Sequence, residues 1–380
     1  MIYLDHAATT YVKKEVVEEM SPYFNKKYGN PSSLYSIGKE NKLAIDKARQ
    51  QVALALNAND NEIFFTSCGS EADNWALKGV AFANKLKGNH IITSCIEHPA
   101  ILNSCKWLEQ NGFRVTYLSV DSEGLINLSE LKNSITKDTI LISIMFANNE
   151  IGTLEPIKEI SKIAKNSNIY FHTDAVQAVG NVEIDVKDMG IDMLSLSAHK
   201  FYGPKGVGVL YIKEGTQIDN YINGGSQERG KRAGTENVAG IVGLGKAIEL
   251  AYSDFENKNK KLIRLREKLI NEVMEKIPYV KLNGHRTKRL PGNVNFSFDG
   301  VEGESILLML NMENICVSTG SACSSGSSKP SHVLVAIGLN DEMCKGSLRL
   351  TIGDENTDED IEYTVDCLEK IVERLREIKK

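Results

Sequence analysis

Residues 169–212 read IYFHTDAVQAVGNVEIDVKDMGIDMLSLSAHKFYGPKGVGVLYI. Two short runs of apolar and aromatic residues, 169–173 and 193–197, each end in a polar cluster. Asp174-Ala-Val-Gln177 follows the first, and Ser197-Ala198-His199-Lys200 follows the second. Such runs between turn-rich stretches read as strands. The 26 residues from Asp174 to Lys200 leave room for one helical crossover and one strand, so both residues emerge at the same sheet edge. A further run, 207–212, follows the Gly/Pro-rich turn at 203–206 and reads as a hairpin-like piece. Working outward, 62–67 (EIFFTS), 90–95 (HIITSC), 113–120 (FRVTYLSV) and 139–147 (TILISIMFA) repeat the strand pattern, with amphipathic stretches at 71–87, 99–111 and 156–167. This alternation predicts an α/β fold with a mainly parallel sheet covered by helices on both faces.

Beyond this region the pattern changes. Residues 237–276 read as one largely unbroken helix, apolar at its start and charged later, leaving one domain and entering another. Short strands at 293–298, 315–319 and 347–352 and helices at 303–313, 331–337 and 358–378 then suggest a smaller α+β domain. Thr357 is a natural N-cap for the last helix. The expected division is a large domain over 15–255, with 1–14 and 256–380 forming the small domain. Residues 318–328 (STGSACSSGSS) read as a mobile loop.

Composition narrows the classes. The 380 residues carry 45 Lys+Arg against 50 Asp+Glu, a net charge of −5, and are 42% hydrophobic, as in an ordinary globular protein. That balance leaves no basic footprint for nucleic acid. No apolar run reaches the roughly 20 residues a membrane span needs, and MIYLDHAATT is no secretory leader. A cytoplasmic protein is expected. Seven irregularly spaced cysteines without a CxxC argue against a paired-cysteine zinc site, so no metal is expected and most thiols should be small buried hydrophobes.

Four clusters can carry chemistry, and each has a plainer reading. Lys200, after an apolar strand and before a glycine-rich turn, is a solvated loop lysine or a Schiff-base lysine, with Ser197 and His199 as donors to an anion. Asp174 caps the next helix or faces a protonated ring nitrogen. Residues 66–74 (TSCGSEADN) are an ordinary helix start or a phosphate site made of backbone N–H groups and a hydroxyl. His98, in Glu97-His98-Pro99, is structural or lies beside the other three.

Together with YLDHAATT, NNEIGT, QERGKRAGTEN, GNVNFSF, STGSACSSG and SLRLT, these blocks make the chain resemble the NifS/IscS-like cysteine desulfurases, in the class V aminotransferase family of pyridoxal-phosphate enzymes. The resemblance implies the type I fold of that cofactor class. Lys200 is implied to bind the pyridoxal 5'-phosphate covalently, Asp174 to face the ring nitrogen and Gln177 the ring oxygen. His98 would stack on the ring and serve as acid or base near the substrate sulfur. Gly69, Ser70, Ser197 and His199 would hold the phosphate, and Thr235 would reach the phosphate of a neighbouring subunit, which implies a homodimer. Asn149 and Arg349 would bind the substrate carboxylate, the guanidinium being a planar fork for it.

Cys323, in GSACSSG, is implied to be the sulfur-accepting nucleophile. Its neighbours support this independently, because Gly and Ser around one cysteine build no core and leave the thiol exposed. The activity implied is removal of sulfur from L-cysteine, giving L-alanine and a persulfide for acceptors such as an iron–sulfur scaffold. Relatives often have Gly and Thr where this chain has Cys68 and Ser70; the hydroxyl persists, and Cys68 adds a second thiol with no physical rationale. The chain stops at RLREIKK, without the longer tail with which some relatives dock their scaffold, which leaves the acceptor open. The rival readings are a selenocysteine lyase, another aminotransferase-like enzyme of the fold, and a non-catalytic protein that keeps the fold alone.

Overall fold

The computed structural model describes residues 1–320 and 330–379. Cys323 and the rest of 321–329 therefore lie outside the described residues. Twelve strands are described, β1 (Ile2–Tyr3), β2 (Ile63–Thr66), β3 (His90–Ser94), β4 (Arg114–Leu118), β5 (Thr139–Ser143), β6 (Tyr170–Asp174), β7 (Met193–Ser197), β8 (Gly208–Ile212), β9 (Val280–Leu282), β10 (Asn293–Phe298), β11 (Ile315–Cys316) and β12 (Ser347–Thr351).

Seven of them form the central sheet, in the order β2-β8-β7-β6-β5-β3-β4. Its internal pairings are parallel except for β8, which runs antiparallel to β7 and β2. β3, β5, β7 and β8 are buried along their whole length, because helices cover both faces. This explains why these strands show no apolar/polar alternation in sequence. The edge strand β4 is more exposed.

One core packs β5, β6 and β7 residues such as Ile142, Phe171 and Leu196 against the helices Ser36–Leu56 and Val238–Ser253. On the other face Phe64, Trp75, Leu77 and Leu210 form a second cluster, with the helices Gly69–Ala83 and Pro99–Gln110. A third core joins Leu4, Leu265, Phe296, Phe298, Leu350 and Leu368 around the antiparallel sheet β12-β10-β9.

Two features depart from the sequence reading. The expected single helix over 237–276 is two, Val238–Ser253 and Phe255–Lys276, broken at Asp254, whose φ of −131° and ψ of 41° are not helical. Asp254 precedes the second helix, and its side chain accepts a 2.7 Å bond from the Asn257 side chain in that helix's first turn. Strands β1 and β9, two and three residues long, carried no recognisable pattern. β1 pairs in parallel with β11, and Asp5 bridges Thr351, so the first residues of the chain run from the smaller sheet toward the edge of the larger one. Thr357 caps the last helix as expected, with its Oγ1 accepting from the Asp360 N–H at 3.3 Å.

Candidate active site

Strands β2, β3, β6 and β7 run the same way, so their carboxyl ends lie on one edge of the sheet. Thr66, Ser94, Asp174 and Ser197 close these strands. The clusters singled out in the sequence follow them directly, which is where ligands bind in open parallel sheets. One cavity of about 220 Å³ is lined by Gly69, Ser70, His98, Asn149, Asp174, Gln177, Ser197, His199, Lys200 and Arg349. Ten of the residues proposed from sequence thus meet in one place. Thr235 does not; it is exposed on the surface.

The lysine stands at the centre. Lys200 Nζ donates to the carbonyls of Ala7 and Ala8, at 2.5 and 2.8 Å. Gln177 Nε2 also donates to Ala7 O, at 3.0 Å, and His199 Nδ1 lies 3.1 Å from Thr9 Oγ1. The DHAATT segment therefore forms one wall of the site through its backbone. Burial, with Lys200 and Lys205 nearby, pushes His199 down to about 4, so it is neutral at pH 7.

Asp174 is 7% exposed, and burial raises its carboxyl above the usual range, opposed by His98 and Lys200. His98 precedes the helix Pro99–Gln110 and caps it, Nδ1 accepting from Ala100 N–H at 3.1 Å. Burial lowers its pKa, so the ring is neutral, and the cap leaves the proton on Nε2. His98 is thus set to donate a proton from Nε2.

Arg349 is 1% exposed on β12. It donates to Asn149 O at 3.0 Å and to Asp5 Oδ1 at 2.8 Å, while its buried Nε has no partner among the described residues.

Several residues in or beside the cavity were given no role from the sequence. Asp73 sits one helical turn after Gly69, and its ligand atoms and those of His98 and Asp174 lie within 4.8 Å of one another. Burial and the neighbouring Asp174 raise its pKa well above the ordinary value. The i,i+4 spacing from Gly69 was the available signal. Glu97 is fully buried and pushed up to about 8 by desolvation, although Ser94 and Met145 N–H bond it. Asp5 and the Ala7 and Ala8 carbonyls had no signal, since nothing in the sequence brings the first to Arg349 or the other two to Lys200.

The cavity suits a flat, anionic, amine-reactive cofactor. Its lining offers an amine, a carboxyl and a hydroxyl at the start of the 15-residue helix Gly69–Ala83. The first-turn N–H groups there have no intrahelical acceptor, which favours a phosphate. Glycine at 69 lets the turn pack close against the Val176 side chain, which a Cβ there would meet at 2.7 Å.

Comparison with known proteins gives the same picture. The model of the class V aminotransferases matches residues 2–364. A cysteine desulfurase IscS of Clostridium botulinum is 62% identical over 99% of this chain and 96% of its own length. A solved NifS-like protein superposes with a TM-score of 0.93 at 39% identity, covering 98% of this chain and 100% of that one. SspA, solved in complex with cysteine, superposes at 0.83 with 38% identity, over 94% and 100% of the two chains. The chain therefore belongs to the class V aminotransferase family, and within it to the NifS/IscS-like, pyridoxal-phosphate-dependent cysteine desulfurases.

Proposed function

We propose that this cysteine desulfurase acts on L-cysteine in a cytoplasmic homodimer, leaving L-alanine and a persulfide on Cys323. The observation that carries the role of Cys323 is where its flanking residues lie. Ser318 exchanges two backbone bonds with Arg349, at 3.1 and 2.7 Å. On the other side Ser331 Oγ donates to Glu150 Oε2 at 2.5 Å, and His332 Nε2 lies 3.0 Å from Glu97 O, next to His98. The segment bearing the thiol thus begins and ends beside the cavity.

Lys200 Nζ would hold the cofactor, Asp174 its ring nitrogen, Gln177 its ring oxygen, His98 its face, and Gly69, Ser70, Ser197 and His199 its phosphate, with Thr235 arriving from the second subunit. When bound, pyridoxal phosphate supplies the electron sink that lets carbon–hydrogen and carbon–sulfur bonds of the substrate break. Arg349 and Asn149 orient the substrate carboxylate. The freed Lys200 amine takes the Cα proton, and the Ala7 and Ala8 carbonyls hold the resulting ammonium. Cys323 attacks as the thiolate, the nucleophilic form. A sulfur–sulfur bond forms as the Cβ–S bond breaks, and the electron pair passes to Cβ. Protonation there, with His98 Nε2–H as the nearby donor, completes the methyl group of alanine. The persulfide then passes to an acceptor, with iron–sulfur cluster assembly the reading we favour.

The large unit over 15–255 would supply the cofactor site, and 1–14 with 256–380 the unit bearing the Cys323 segment. The test is alanine release together with intact mass after cysteine addition. Wild type should gain sulfur on the Cys323 peptide, and Cys323→Ala should keep the cofactor yet lose desulfuration by orders of magnitude. Sulfur found on Cys68, or alanine production by Cys323→Ala at near the wild-type rate, would refute the assignment.

A further inference from the structure

The segment 226–235, which ends in Thr235, follows a backbone path that its sequence does not favour. Glu228, Arg229 and Gly230 all have positive φ, at 45°, 57° and 78°. For Gly230 this is unexceptional, but for two consecutive residues with a Cβ it is strained and must be held by surrounding contacts.

The contacts are at the outer edge of the seven-stranded sheet. β2 is an edge strand, and such a strand presents unpaired N–H and C=O groups. Arg49, from the helix Ser36–Leu56, and Arg229 both donate to the Ile63 carbonyl, at 2.6 and 2.7 Å. The Phe65 N–H donates to Glu228 Oε2 at 2.9 Å. Arg49 and Glu228 form a bidentate pair, both bonds 2.8 Å, with side-chain exposures of only 7% and 4%. The two guanidinium groups lie over Phe65 and Phe64, 4.7 and 4.1 Å from the ring centroids. The side chains thus take the place of one more strand, and the kink is set in register with the sheet. Further along, Arg232 clamps Glu71 in the phosphate turn through two bonds of 2.7 and 3.0 Å, after which Thr235 stands exposed.

We infer that Glu228 is a positioning residue for the cofactor phosphate of the neighbouring subunit. By pairing with Arg49 and plugging the sheet edge, it holds the left-handed kink that aims Thr235 outward. The inference rests on the reading that Thr235 reaches that phosphate. Loss of the Glu228 charge leaves Arg49 buried without its counter-ion and releases the kink, so the effect should appear at the cofactor rather than at substrate sulfur.

The test compares the rate of cofactor release from the holo homodimer, followed by visible absorbance after dilution, in Glu228→Gln, Thr235→Ala and the double variant. Thermal unfolding of each is measured alongside. Glu228→Gln should release cofactor about tenfold faster or more, the weight of one hydrogen bond to a charged group. Thr235→Ala should do likewise, and the double variant should be no faster than Thr235→Ala alone, because Glu228 acts through Thr235. Should Glu228→Gln not fold, Arg49→Lys replaces it, keeping a cation while losing the fork, and a smaller acceleration is expected, again absent on the Thr235→Ala background. If Thr235→Ala accelerates release while Glu228→Gln only lowers the melting temperature, or if the two effects multiply, the positioning role is refuted and the reading of Thr235 stands. If Thr235→Ala changes nothing, the subunit-bridging reading falls and the inference with it.

Discussion

Arg349→Lys is the substitution that most directly tests how the substrate is held. The guanidinium is buried, with Nη1 on Asn149 O and Nη2 on Asp5 Oδ1, and its Nε has no hydrogen-bond partner among the described residues. Its remaining N–H groups can meet a carboxylate as a fork, whereas a lysine offers a point charge. Lysine keeps a cation beside Asp5, so the fold should survive, which near-unchanged circular dichroism and cofactor content would verify. Losing one charge-assisted hydrogen bond to the substrate costs about 1.5–3 kcal/mol. That corresponds to roughly 10- to 150-fold in affinity. Because the carboxylate is bound equally before and during reaction, the loss should appear mainly in KM, with kcat changed little. Steady-state desulfuration and spectral titration with cysteine measure both. Cysteamine, which lacks the carboxylate, supplies the control, and its weak turnover should be the same in the two proteins. An unchanged KM for cysteine, or an equal loss with cysteamine, would refute the assignment.

Mixing Lys200→Ala with Thr235→Ala should give hybrid dimers with one site free of both lesions, which holds cofactor as tightly as a wild-type site, unlike either parent; a fully active monomer by light scattering would contradict shared sites. Borohydride should fix the cofactor to the peptide containing Lys200, and label on any other lysine would contradict its role. A stability prediction concerns Glu155, which burial pushes up to about 8 from 4.5 and whose Oε1 has no hydrogen-bond partner among the described residues. Its folded form keeps a proton that the unfolded chain has lost, so this group makes stability fall as pH rises from about 4.5 to about 8. Glu155→Gln should therefore gain stability relative to wild type across that window, measured by urea unfolding at pH 5 and pH 8; a pH-independent difference would contradict it.

Much of the site was legible because β2, β3, β6 and β7 run the same way. A residue just after any of these strands is delivered to the same edge, so Gly69, His98, Asp174 and Lys200 could be brought together on paper before any distance was known. The segment 237–276 is two helices rather than one because the backbone leaves helical φ and ψ at the single residue Asp254, which the hydrophobic pattern does not register.

The sequence by itself determined the alternating architecture, the strand-end placement of the reactive groups and the family, since periodicity and short motifs are local properties that survive in one dimension. Tertiary structure alone decided the supports. Asp5 reaches Arg349 across 344 positions, and Arg49 reaches Glu228 across 179. Two acceptors of the Lys200 Nζ are backbone carbonyls of alanines, and a carbonyl is present at every residue. Only the folded chain shows which of them faces the half-buried Lys200 amine, because that choice is made by packing rather than by residue type.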